Sequence, residues 1–142
     1  IIFGSSQNMM AAAIISFGVN SGAYVAEIVR SGIMSIPKGQ MEAGRSLGLN
    51  YATTMRCIII PQAIKNILPA LGNELITLLK ETSICTVIGL MDLTKGAMIV
   101  QSRTYAPWVP YLSIAIIYLV IVLILTKLLG ILERRLRESD RR

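Results

Sequence analysis

Glu42-Ala43-Gly44-Arg45-Ser46-Leu47-Gly48, followed after nine residues by Ile58-Ile59-Ile60-Pro61, is the stretch on which the reading of this chain turns. It is basic, lies between strongly apolar segments and holds two glycines four apart. Upstream, Pro37 suits the first turn of a helix, where its missing N–H would be unpaired in any residue. That helix is expected to run to about Leu47 and stop at Gly48, a natural left-handed residue after a helix end. Asn50 can cap a second helix, which runs through Ile60 until Pro61 ends or kinks it. Residues 36–62 thus read as a helix, a sharp break and a second helix.

The rest of the chain says where this segment sits. Of its 142 residues 54% are hydrophobic and only 15% charged, with a mean hydropathy of +0.63. A soluble domain carries about a quarter charged residues, so this composition belongs to a membrane protein. Residues 9–30 form a first apolar span, since a helix needs ~20 residues to cross a bilayer. Gly18, Ser21, Gly22 and Ala23 give it a small side for helix packing. Asn20 and Tyr24, four apart, share a face. Glu27 and Arg30, three apart, can pair.

A second span is expected over residues 66–91 and a third, the most apolar, over 109–132. Between them, residues 92–108 read as an extracytoplasmic loop with Pro107 and Trp108 near its end, and Trp108 and Tyr111 belong at the membrane interface. Arg30, Lys38, Arg45, Arg56 and Lys65 cluster around the central segment, and Lys127, Arg134, Arg135, Arg137, Arg141 and Arg142 crowd the C-terminal end. The positive-inside rule puts both clusters in the cytoplasm. Two crossings separate them, so the topology is self-consistent, with residues 133–142 as a basic cytoplasmic tail.

The second span is interrupted by charge. At 100° per residue Asn73, Glu74, Thr77, Lys80 and Glu81 fall within about 120° of one another. Such a stripe crosses a membrane only if it faces other helices or a watery path. Two readings of Glu74 stand side by side: contact with a cationic or ammonium-bearing substrate, or an interhelical ion pair or hydrogen-bond network. Lys80, Glu81, Thr82 and Ser83 read as gate or packing residues. Asn20 and Tyr24 read first as helix-packing residues and second as substrate contacts.

Several chemistries are excluded. The chain has no His, and Cys57 and Cys85 are too far apart for a zinc site, so no catalytic residue and no metal site is expected. No Gly-x-x-x-x-Gly-Lys-[Ser/Thr] loop occurs, so ATP is not expected to bind here. The basic tail lacks the context of a nucleic-acid reader. Ile1 is not an initiator methionine and no basic run precedes the first apolar stretch, so no signal peptide is expected.

The quoted stretch resembles the signature of the membrane subunits of binding-protein-dependent ABC importers: Glu-Ala-Ala, three residues, Gly, nine residues, Ile-x-Leu-Pro. Gly44 replaces the second Ala and Ile60 the Leu. The flanks are similar to the polar amino acid permease family, of the histidine, glutamine and arginine type. They include Gly22-Ala23-Tyr24-Val25-Ala26-Glu27, Pro61-Gln62-Ala63, Asn73-Glu74 and Leu79-Lys80-Glu81-Thr82-Ser83. Glu81 stands where the family usually has Asp.

The resemblance implies an all-α membrane protein, a bundle of the type I ABC importer kind. About three transmembrane helices and a cytoplasmic coupling helix are expected here, with one or two N-terminal helices of the family's usual five missing. It implies that Glu42, Ala43, Gly44, Gly48 and Pro61 couple the permease to a cytoplasmic ABC ATPase dimer, which holds the ATP and Mg. A solvated acid near a helix N-terminus is the alternative for Glu42. The other implied partners are a second permease subunit, identical or related, an extracytoplasmic amino-acid-binding protein, and the lipid of a bacterial inner membrane. The rival function is a membrane scaffold or sensor that recruits a protein through the same segment. A pure anchor has no need of Glu74, Lys80 and Glu81 in the membrane. An ion channel would need a filter or charged ring, and none is legible.

Overall fold

The computed structural model describes residues 6–138, and the side chains of residues 8–136, and holds helices with no strand among them. Helix α1 (Ser6–Met34) is followed by α2 (Lys38–Ser46) and a short α3 (Tyr51–Thr54). A π-helical turn (Met55–Ile59) leads into α4 (Ile60–Glu81), which tightens into a 3-10 segment (Thr82–Ile88). Helices α5 (Leu93–Thr104) and α6 (Trp108–Glu138) complete the order. Asn8–Met34 and Trp108–Leu136 are long and apolar enough to cross a membrane. Tyr51–Ile88 with Leu93–Thr104, bent by 48°, makes a third, broken candidate.

Two expectations change. Pro61 does not end the helix: it lies in the first turn of α4, and the chain stays helical from Tyr51 to Ile88. Register is absorbed just upstream, where the Ile60 N–H reaches back to the Met55 carbonyl. Pro69 also lies inside α4. Second, the expected loop at 92–108 holds a 12-residue helix, α5. Asp92 caps it, its carboxylate accepting from the Lys95 N–H at 2.7 Å, while the Thr86 hydroxyl donates to the same oxygen. The helix of the last span runs out into the basic segment, α6 continuing to Glu138. Asp140, Arg141 and Arg142 lie outside the described residues.

The chain divides into two compact units. One joins α1 up to Ser21 with Leu75–Lys127. It buries Ala13, Ile76, Thr86 and Ala97, and the Tyr111 hydroxyl donates to Gln101 Oε1 at 2.9 Å, tying α6 to α5. The other joins Gly22–Glu74 with α6 from Leu128. Here large side chains seat against glycines: Ile67 on Gly32, Thr54 on Gly44 and Leu129 on Gly72. Removing a Cβ lets helix backbones approach closely, which is how helices pack where lipid gives no hydrophobic drive. Asn66 Nδ2 donates to Ser35 Oγ at 2.9 Å, and Ser35 donates in turn to the Gly32 carbonyl.

Candidate functional site

The quoted stretch lies wholly in the second unit and builds one continuous element. Pro37 precedes α2 with an extended ψ of 136° and occupies the cap position rather than the first turn. The helix stops at Leu47, and Gly48 follows with φ +80°. The Gly48 N–H donates to the Arg45 carbonyl at 2.9 Å and the Leu49 N–H to the Gly44 carbonyl at 3.1 Å. This crossed pair satisfies carbonyls that a helix end otherwise leaves open. Only glycine takes that φ without a Cβ penalty. Two residues on, Asn50 Oδ1 accepts from the Thr53 N–H at 2.8 Å and starts α3. Break and restart are therefore back to back.

Beyond α3 the π turn carries the chain into α4. Pro61 has no N–H to give, and the Gln62 side-chain amide donates to the Ile58 carbonyl at 2.9 Å. Ile59, Ala63 and Ile67, four apart, form the buried face that follows. An open apolar groove of about 240 Å³ lies beside α2, lined by Ile33, Met34, Met41, Met55 and Ile59. Methionine is unbranched and has three rotatable bonds, so such a lining refills when a neighbouring helix shifts.

The structure brings Glu42, Ala43, Gly44 and Gly48 together on α2 and its terminal turn. Glu42, Ala43 and Gly48 are exposed, as is Leu47 at the tip, with 80% of its surface open. Glu42 lies beyond the first turn of α2. The helix dipole acts within the first turn, so that account of Glu42 loses force. Gly44 differs from expectation: it is buried, and the surface that approaches it closely is Thr54 of this chain. Pro61 is exposed in the first turn of α4.

The polar stripe stands on α4 as expected, but its residues divide between the two units. Asn73 is exposed and Glu74 half-buried in one; Thr77 is half-buried, and Lys80 and Glu81 exposed, in the other. Thr82 and Ser83 turn their hydroxyls onto the Leu79 and Lys80 carbonyls, at 2.8 and 2.7 Å. They spend their donors on backbone and keep only acceptor capacity. Asn20 and Tyr24 are exposed on α1. Further along α1, Arg30 grips Glu27 through Nε and Nη2, both at 3.1 Å, as their spacing predicts. Sequence reasoning missed Thr54, Gln62 and the Thr86–Asp92 pair. Only Asp92, a capping residue type two places after Leu90, carried a legible signal.

Known proteins resemble this chain. Residues 1–138 match the family described as the binding-protein-dependent transport system inner membrane component. The chain is 47% identical over 129 residues to the arginine transport system permease protein ArtQ of Bacillus subtilis (strain 168), covering 91% of this chain and 59% of that protein. It is 40% identical over 126 residues to the glutamine transport system permease protein GlnP of Escherichia coli (strain K12), covering 89% and 58%. A crystal structure of an amino acid ABC transporter with histidines superposes with a TM-score of 0.86 at 55% identity, over 89% of this chain and 59% of that one. The chain thus spans about three fifths of the length of these relatives. With a helical membrane fold, a Gly48 break flanked by two caps and a family match along nearly its whole length, this chain belongs to the binding-protein-dependent transport system inner membrane components.

Proposed function

We propose that this chain forms the pathway-bearing permease part of an ATP-driven importer of polar amino acids in a bacterial inner membrane. The observation that carries the proposal is the α2–Gly48–Asn50–α3 element, whose break is closed by its own backbone and Asn50 hydrogen bonds and whose α2 tip is exposed. In this reading α2 seats on a cytoplasmic ABC ATPase dimer, with Glu42 and Leu47 at the contact and the C-terminus on the same side. ATP and Mg stay on the ATPase; this chain contributes no catalytic group. A second permease subunit completes the pathway, and an extracytoplasmic binding protein delivers the solute. The relatives' names, arginine in one and glutamine in another, support polar amino acids as the cargo class. Glu74 is the carboxylate we assign to the solute's ammonium or cationic side chain.

ATP binding must favour one conformation of the complex, since a ligand with equal affinity for both shifts nothing. The hairpin is the part that conveys this preference to α4. The test reconstitutes the complete complex, with its ATPase and binding protein, in proteoliposomes and surveys the amino acids. One or more polar amino acids should stimulate ATP hydrolysis and accumulate inside. No stimulation by any amino acid would remove the functional reading.

A further inference from the structure

Gly44 stands where the importer signature carries alanine, and Thr54 accounts for the exchange. Thr54 has no exposed surface at all. Its Oγ1 donates to the Asn50 carbonyl at 3.0 Å, the same carbonyl that accepts the Thr54 N–H at 3.0 Å. That bond and the β-branch restrict χ1 and hold the side chain in place. A Cβ added at Gly44 would lie 2.5 Å from Thr54 Cγ2, 2.8 Å from Oγ1 and 3.2 Å from Cβ. Two of those separations are shorter than packed side chains tolerate, so one side of the contact must shift. Gly44 and Thr54 are therefore two halves of one contact, made across the Gly48 break.

We propose that Thr54 is a positioning residue for coupling: seated on Gly44, it locks α2 to α3 and so sets the pose in which α2 is offered to the ATPase. The proposal rests on the coupling role given above. Displacement of α2 then passes through Thr54 into the π turn and α4 with little slack. A loose or overfilled contact would let α2 move without α4, so ATP would be hydrolysed with less solute carried.

The experiment measures solute uptake per ATP hydrolysed in the reconstituted complex, with assembly checked by co-purification. Gly44→Ala is expected to lower this ratio about tenfold, because overfilling a closed contact displaces it. Adding Thr54→Ala removes Cγ2 and Oγ1, the two atoms within 3.0 Å, and leaves Thr54 Cβ at 3.2 Å. The double variant should recover to within about threefold of the parent, since the overfilling is relieved. Gly44→Ala with Thr54→Val keeps the branched bulk and should not recover. If Gly44→Ala prevents assembly, the same pattern of rescue is read on assembly instead. The proposal is overturned if Gly44→Ala leaves the ratio unchanged, or if Thr54→Ala fails to rescue it, or if Thr54→Val rescues equally. Cross-linking from Leu47→Cys to the ATPase separates this from the underlying reading. A cross-link with no rescue sinks the joint alone; no cross-link in the otherwise unaltered complex sinks the coupling role.

Discussion

The hairpin around Gly48 and the polar face of α4 use hydrogen bonds in opposite ways. At the Gly48 break the terminal groups close within a few residues: Gly48 to Arg45, Leu49 to Gly44, Thr53 to Asn50, Thr54 to Asn50. On α4, Asn73, Lys80 and Glu81 remain exposed along the helix that carries them. Self-satisfied polar groups make a part that moves as a piece, because no bond must be exchanged when it moves. Exposed polar groups on an otherwise apolar helix make a part that must find its partner in what it meets, since an unmet polar group in an apolar setting costs several kcal/mol. On the proposed reading the first region transmits and the second recognises.

Two substitutions sharpen the contrast, and the larger effect is expected in the hairpin. Gly48→Val forces a β-branched residue to φ +80°, at a cost of about 1–2 kcal/mol or more. Uptake by the reconstituted complex should fall about tenfold or more, with the binding protein still docking and solute preference unaltered. Unchanged uptake would show that the break does not need its left-handed residue. Glu74→Gln should do the converse. It keeps a hydrogen-bonding group but removes charge, and a loss of about 1 kcal/mol raises the half-saturating solute concentration about fivefold. Basal ATP hydrolysis should hold. An unaltered solute preference and affinity would return Glu74 to a purely structural role.

The hairpin was legible in the sequence because its determinants are local. Gly48 and Asn50 act on backbone groups within five residues, so residue type and order suffice to predict them. The π turn was not legible, because Pro61 reads equally well as a stop or as the first turn of the next helix. What decides is backbone register that residue type does not encode: Ile60 reaching Met55, with Gln62 serving Ile58. Helix α5 was misread as loop because Lys95 and Gly96 weaken its apolar pattern, although Asp92 is a good cap. The pairing of Thr54 with Gly44, Ile67 with Gly32 and Leu129 with Gly72 depends on which helices meet. No spacing along a single helix encodes that. For the same reason the stripe of Asn73, Glu74, Thr77, Lys80 and Glu81 was visible as a pattern while its partners were not.

The central claim is that α2 is the surface on which the energy-supplying subunit acts. Leu47, 80% exposed at the tip of α2, offers the most direct test. Cys57 and Cys85 are both free thiols and would first be replaced. Leu47→Cys would then be cross-linked in membranes containing the complete complex, with and without ATP. A covalent product between this chain and the ATPase subunit, changing in yield on nucleotide binding, is the predicted result. Absence of any product with the ATPase, from a complex that still co-purifies, would contradict it.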